Sequence, residues 1–502
     1  MAKPSRGIDV LPKVGRATAR VLSSDALNFV GELQRVSKPG RDLARQQRAE
    51  RQQMFDKGGL PDFRPETTAI RAGSWKAAAL PRDLADVRCG IVTAPARKDL
   101  LLALNSGARL CLADFADVLS PAWDSLIDAH LNLMDRWTSA MEHVDPVNGR
   151  RISLSQRLST LMVQPRSLMA DEPRVKCDGK PVASGLFDAG LYLFHTAKVA
   201  LAKASAPYLQ LADIASQAEA RLWNDILLHA QSLLGLPAGT IRVHVRIDTL
   251  SAAFEIDEII HELREHIAGV SCGGFSYGFD VVRSLGRHKT RISGDDGMPD
   301  TALRDLLVRT AHHRGLTALA PLARADAKAL GEQAVRSGFD GLWVSHPEHV
   351  AATQKVFNDD MPTANQIYVS RDDVVVSQKD LVAVTGNMPS AACLADHIRA
   401  SLLVLDSWLS GGGSVAVDGA IEDRASADFR RAQLWQWLHH GVKLDTGAKV
   451  TTALFDMVLT ESLASLKSSN GRFKVAAGLL KALVTAPDLE TDIFTQAWKK
   501  LA

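Results

Sequence analysis

The sequence predicts an α/β protein, a (β/α)₈ TIM barrel with an N-terminal helical segment and a C-terminal all-helical domain. Three observations carry this expectation. From Arg88 onward, short β-rich runs alternate with longer amphipathic segments, the pattern of parallel βα units. Seven such runs fall within a span of the size these barrels occupy, about 250 residues. No Gly-x-Gly-x-x-Gly follows the first run and no Walker A sequence occurs, which counts against a doubly wound nucleotide-binding sheet.

The chain opens with a basic, irregular stretch, followed by a helix over Ser24–Asp56 rich in Leu, Arg, Gln and Glu. Gly58-Gly59-Leu60-Pro61 ends it. Strands are expected at residues 89–93, 109–115, 159–163, 240–247, 269–273, 316–322 and 341–345, with an eighth at 275–282 or near Ile367. Helices are expected between them at 121–143, 186–204, 214–234, 251–266, 301–313 and 326–337. From about Asp380 the strands stop and helices follow at 392–409, 429–440 and 449–468, with Gly411-Gly412-Gly413 as a turn. The predicted division is 1–75 for the N-terminal segment, 76–375 for the barrel and 376–502 for the C-terminal domain.

With 502 residues, 46% of them apolar and 23% charged, the chain has the composition of a folded, enzyme-sized protein. Its 59 basic and 57 acidic residues leave a net charge of +2, so no global field favours nucleic acid or an anionic membrane. The cysteines, Cys89, Cys111, Cys177, Cys272 and Cys393, are scattered and lack zinc-type spacing, as expected of reduced thiols. No signal-like run, membrane-spanning run or peroxisomal ending (the chain closes Lys-Lys-Leu-Ala) is present, and the expectation is a cytoplasmic protein, monomeric and acting on small molecules.

Local motifs read mostly as structure. His261 and His266 are one residue too far apart for a His-Glu-x-x-His metal site, and Glu255, Glu258, Glu262 and Glu265 fit a solvated helix face. His312-His313-Arg314-Gly315 reads as a helix end, with cations near the terminal carbonyls and glycine as the left-handed cap. Glu422-Asp423 reads as a surface loop or a helix start.

Longer blocks carry a resemblance. Asn105-Ser106-Gly107-Ala108, Ser120-Pro121-Ala122-Trp123-Asp124, Leu186-Phe187-Asp188, Ala220 to Asp225, Ala252 to Ile259, Gly341 to Pro347 and Gln433 to Leu438 occur in order along nearly the whole chain. Together they resemble the shorter, A-type malate synthases. The resemblance implies condensation of acetyl-CoA with glyoxylate and hydrolysis of the malyl-CoA formed. That chemistry needs a base for the weakly acidic thioester methyl and stabilisation of the enolate oxygen. It also needs an electrophilic glyoxylate, for which the family uses Mg²⁺ and an arginine.

Carried onto this sequence, the resemblance makes Asp423, in Ile421-Glu422-Asp423-Arg424-Ala425, the general base. The family's arginine falls on Gln164 of Gln164-Pro165-Arg166, a neutral hydrogen-bond donor. A glutamate metal ligand falls on Asp248, shorter by one bond of roughly 1.5 Å. An aspartate ligand falls on Ser276 of Gly273-Gly274-Phe275-Ser276-Tyr277, and a glutamate near the arginine falls on Ala116. A register shifted by a residue offers Asp280 or Glu255 as ligand instead. Gly274, Phe275, Arg166 and Ala116 are the expected substrate-side neighbours, and the stretch 287–299, with its Ser-Gly-Asp-Asp-Gly, a rebuilt wall.

The expected function is therefore a malate synthase-like acyltransferase that joins acetyl-CoA, or another acyl thioester, to glyoxylate or a related 2-oxo acid. Mg²⁺ is the implied cofactor, and the changes at Asp248 and Ser276 count against it. The alternative is a catalytically silent relative that keeps the CoA cleft or binds a partner. Thioester hydrolysis without condensation ranks last, since no Ser-His-Asp arrangement supports it.

Overall fold

Eight short strands whose side chains alternate between an inner and an outer face close on themselves in the computed structural model. It describes residues 7–13, 15–138, 141–294, 300–324, 326–384, 387–466, 472–490 and 493. The strands are β1 (Cys89–Thr93), β2 (Leu110–Asp114), β3 (Thr160–Gln164), β4 (Tyr208–Leu211), β5 (Arg242–Ile247), β6 (Ile267–Cys272), β7 (Thr317–Ala323) and β8 (Gly341–Val344). They pair in chain order, all parallel, and β8 closes on β1. This is the expected barrel.

Leu110, Leu112, Met162, Tyr208, Ala268, Leu319 and Trp343 fill the barrel interior, so it is a packed core and no pore. Outward-facing Val243, Val245, Ile247 and Val270 join the larger apolar layer under the helices. At the N-terminal end of β5, the Arg242 guanidinium donates to the carbonyls of Ala79, His266 and Ile267 at 2.9, 3.0 and 3.0 Å.

The eighth strand is β4, at neither expected place. Residues 275–282 are helical within Phe275–Leu285, because Phe275, Phe279 and Val282 recur at helical spacing and pack against Phe429 and Ala432. No strand forms near Ile367. The helix expected over 251–266 is two short pieces, Leu250–Ala253 and Ile256–Glu262, and of the one expected over 121–143 the described helix is Trp123–Thr138, with Glu142 and His143 in a short strand.

The glutamate face is also not solvated. Glu258 is fully buried against Arg71 and Thr67, Glu255 accepts from the Gln217 N–H at 2.7 Å, and Glu262 pairs with Arg221 at 2.7 Å. Only Glu265 stays exposed. The N-terminal segment and a neighbouring helix cover the rest. The helix Thr301–His313 does end at Arg314 and at Gly315, whose φ is +77°.

The Ser24–Asp56 helix starts at a Ser23 cap and lies across the helices Ser184–Ala202 and Gln217–Leu234. Arg48 fastens it, bonding Glu219 through Nε and Nη2 at 2.8 and 2.7 Å and Asp213 at 2.8 Å.

The C-terminal region is helical, with Ala391–Leu409, Arg424–His440, Thr452–Ser465 and Phe473–Thr485 around their own apolar core. It also carries a hairpin, Ser414–Val417 paired with Ala420–Asp423, so Gly411-Gly412-Gly413 leads into a strand and the strands do not stop at Asp380. Residues 295–299, part of the wall expected to be rebuilt, and the Lys-Lys-Leu-Ala ending lie outside the described residues. Among the described residues no helix is long and apolar enough to cross a membrane, and all five cysteines are free thiols.

Candidate active site

The C-terminal ends of parallel strands converge their last inward-facing side chains on one mouth. On β5 the alternation puts Arg242, His244 and Arg246 on the inner face, in the order bottom, middle, top. On β2 and β3 the last residues, Asp114 and Gln164, are register partners, and Gln164 Nε2 donates to Asp114 Oδ1 at 2.8 Å. Gln210 of β4 donates to Gln164 Oε1 at 2.7 Å, which completes a buried chain across three strands.

The C-terminal hairpin seats on this mouth. Asp423 ends its second strand and caps the helix Arg424–His440, accepting from the Ser426 N–H at 3.1 Å while the Ser426 hydroxyl accepts from the Asp423 N–H at 3.0 Å. It is neither a surface loop nor exposed, being 1% accessible. Arg324, just past β7, donates to both Asp423 oxygens at 2.7 and 2.9 Å and to the Ile421 carbonyl at 2.7 Å. Its guanidinium also lies 4.9 Å from the centre of the Phe275 ring. The Arg424 N–H donates to the Asp117 carbonyl at 3.2 Å, a second tie between hairpin and barrel.

Beneath the hairpin is a cavity of about 40 Å³, walled by Asp114, Asp117, Gln210, Arg246, Ser271, Ser276, Arg324 and Asp423 among others. Arg246 bridges Asp117 through Nη1 at 2.7 Å and Asp248 through Nε at 2.9 Å. Burial pushes the Asp423 carboxyl above its ordinary range, Asp117 adds repulsion, and Arg324 opposes both. Asp114 is raised by burial and by Asp117. Asp248 is pushed up to about 7, by burial first and by Asp213 next, with Arg246 opposing. Asp117 goes the other way, because Arg246 and Arg424 outweigh its burial. A raised aspartate beside one held ionised is the arrangement that proton abstraction asks for.

Of the residues singled out in the sequence, Ser276 and Asp423 wall the cavity itself. Gln164 and Asp248 stand one contact behind it, through Asp114 and Arg246. Phe275 lies under Arg324, Gly274 turns β6 into the following helix, and the Ala116 carbonyl accepts from Arg424 at 3.3 Å. Arg166 is committed elsewhere: its guanidinium bonds Asp188 at 2.8 Å through both Nε and Nη2 and Glu172 at 2.8 Å through Nη1, all buried. The other register is filled too. Asp280 accepts from the Leu250 N–H at 2.8 Å and pairs with Arg283, while Glu255 holds the Gln217 N–H.

Sequence reasoning missed Arg246, Arg324, Asp114 and Asp117. A signal existed for Arg246, since an arginine near the C-terminal end of a strand, on the inward register, has to find a partner at the mouth. A larger cavity of about 740 Å³ lies beside the Ser24–Asp56 helix. There Arg221 pairs with Glu262 and Glu255 accepts from a backbone N–H, while Arg51 Nη2 is buried without a hydrogen-bond partner among the described residues.

The same chain-wide order appears in comparison with known proteins. Family models match in sequence: the malate synthase N-terminal domain over residues 6–69, the malate synthase TIM barrel domain over 160–384, and the malate synthase C-terminal domain over 390–501. A malate synthase of Myxococcus xanthus is 37% identical over 495 residues, covering 94% of this chain and 91% of the relative. A glyoxysomal malate synthase of Zea mays is 34% identical, covering 98% and 95%. Malate synthase A of Escherichia coli is 32% identical, covering 97% of each. With barrel, capping hairpin and helical C-terminal region matched end to end, this chain belongs to the malate synthase family.

Proposed function

We propose that this protein condenses acetyl-CoA with glyoxylate and hydrolyses the malyl thioester, so that acetyl-CoA, glyoxylate and water give malate and free CoA. In this reading residues 76–375 form the barrel that receives glyoxylate and residues 376–502 supply the base. The observation that carries it is the seating of Asp423, a buried carboxyl raised by desolvation, on a mouth lined with guanidinium groups.

Asp423 takes a proton from the thioester methyl, leaving an enolate whose oxygen gains from a nearby cation. The enolate carbon bonds to the aldehyde carbon of glyoxylate, whose oxygen becomes an alkoxide and then takes a proton. Water next adds to the thioester carbonyl, and the C–S bond breaks to release the CoA thiol. Arg324 fixes the Asp423 carboxylate at two points, and the hairpin excludes bulk water from the mouth.

The donor set suits Mg²⁺ poorly at the positions where the resemblance puts ligands. Asp248 already accepts from the Asp213 N–H at 3.0 and 3.2 Å and from Arg246, and Ser276 brings a neutral hydroxyl. Mg²⁺ asks for carboxylate oxygens in near-ideal octahedral order.

Thiol release from acetyl-CoA, followed with and without glyoxylate, tests the reaction. Glyoxylate-dependent release is expected, and Asp423→Asn should lower kcat by about 10²–10⁴-fold. No release from the wild type would end the malate synthase reading, and a fully active Asp423→Asn would end the assignment of the base.

A further inference from the structure

Two carboxylates at the mouth, Asp117 just past β2 and Asp248 just past β5, are held together by one guanidinium. Arg246 reaches one with Nη1 and the other with Nε, at 2.7 and 2.9 Å. Its own side chain is 15% exposed, and those of Asp117 and Asp248 are 12% and 4%. A cation sits between two nearly buried anions, and it is part of the chain. A divalent ion sharing these carboxylates would have to lie against that fixed positive charge, with the neutral Ser276 as its next neighbour.

The same guanidinium has capacity left for a ligand. Arg246 Nη2 makes no hydrogen bond among the described residues, and Arg246 walls the small cavity. Four further polar atoms of that wall, Gln210 Oε1, Ser271 Oγ, Arg324 Nε and Trp343 Nε1, are buried without a partner among the described residues. Buried polar atoms left in this way mark a place where something polar belongs. Asp114, Asp117 and Asp423 share this wall, so the open capacity for an anion is in its donors: Arg246 Nη2 and Arg324 Nε suit a carboxylate, and the Ser271 hydroxyl and Trp343 N–H suit a second oxygen, as a compact 2-oxo acid carries.

We infer that Arg246 is the resident cation of this site, occupying the position of a divalent metal, and that the protein binds its 2-oxo acid without one. The inference rests on the malate synthase reading for its substrate and on geometry alone for its metal. Positive charge that the neutral Gln164 does not supply reaches the mouth from β5 and from the end of β7.

The test has two arms on the full-length chain. In the first, electron paramagnetic resonance follows uptake of millimolar Mn²⁺ by the wild type and by Arg246→Met, each checked for folding by circular dichroism. Exclusion of Mn²⁺ by the wild type and uptake of one ion by Arg246→Met, whose carboxylates are freed, is the expected pair. Specific Mn²⁺ uptake by the wild type, or none by a folded Arg246→Met, overturns the inference.

In the second arm, calorimetry measures glyoxylate binding with EDTA and with Mg²⁺. Affinity unchanged by EDTA supports the inference, and affinity abolished by EDTA overturns it. Arg246→Met should weaken glyoxylate by roughly tenfold to a hundredfold, the value of a charge-assisted hydrogen bond. Arg246→Lys keeps the charge and covers the case in which Arg246→Met misfolds: EDTA-insensitive binding supports the inference, and EDTA-dependent binding overturns it. Failure of the wild type to bind glyoxylate under either condition sinks the malate synthase reading, while the Mn²⁺ arm still decides the role of Arg246.

Discussion

A methyl group built on Gly269 comes within 2.6 Å of both the His244 imidazole and the Thr317 hydroxyl, so β6 has to be bare where β5 turns its histidine into the barrel. The interior is close-packed, and overfilling such a core costs about 1–3 kcal/mol. Gly269→Ala should lose that much stability in urea denaturation, and an unchanged midpoint would show that His244 moves aside freely. Residues of this kind are silent in a single sequence, because Gly269 reads only as a small member of an apolar run. Asp423 was legible through its neighbours, whereas the strand register of Arg246 signals only that it needs a partner at the mouth and not which one, since Asp117 lies 129 positions away.

At the scale of elements, the hairpin that carries Asp423 turns at Asp418-Gly419, both with positive φ, +49° and +83°. Asp-Gly between the runs Ser-Val-Ala-Val and Ala-Ile-Glu-Asp is a type I′ turn signal that the sequence does contain. Gly419→Val places a β-branched residue in the left-handed region, at a cost of about 1–2 kcal/mol. The expected outcome is a lower kcat in the thiol-release assay with the far-ultraviolet dichroism preserved; unaltered turnover would show that the turn does not position Asp423. The eighth strand was hard to read for a physical reason. Tyr208–Leu211 has four residues, every one buried, so it offers no alternation to detect. The aromatic run at 275–282 looked like a strand by composition, and only its packing against Phe429 and Ala432 selected the helix.

Across the whole molecule, the barrel buries imidazoles where they cannot ionise. Burial, with His195 nearby, lowers His130 from 6.5 to about 3, and burial with Arg242 does the same to His244. The folded chain therefore refuses protons that the unfolded chain takes up. The contribution to stability is fully present above about 6.5 and is lost as the pH falls from there toward 3. The His130 ring lies 5.0 Å from that of Phe115 and 5.9 Å from that of Phe187, and its Nε2 has no partner. His130→Phe should shift the acid-unfolding midpoint, followed by tryptophan fluorescence, to lower pH. A midpoint that stays in place would remove His130 from the cause.

The sequence by itself determined the barrel, seven of its eight strands, the helical C-terminal region and the family, because strand alternation, helical periodicity and colinear motifs are properties of neighbours along the chain. Tertiary structure decided which charges at the mouth pair: Arg246 with Asp117 and Asp248, Arg324 with Asp423, and Arg166 with Asp188 and Glu172. Arg324 and Asp423 lie 99 residues apart. A buried charge is tolerable only beside a partner, and which partner it meets depends on where eight strand ends and one hairpin converge in space.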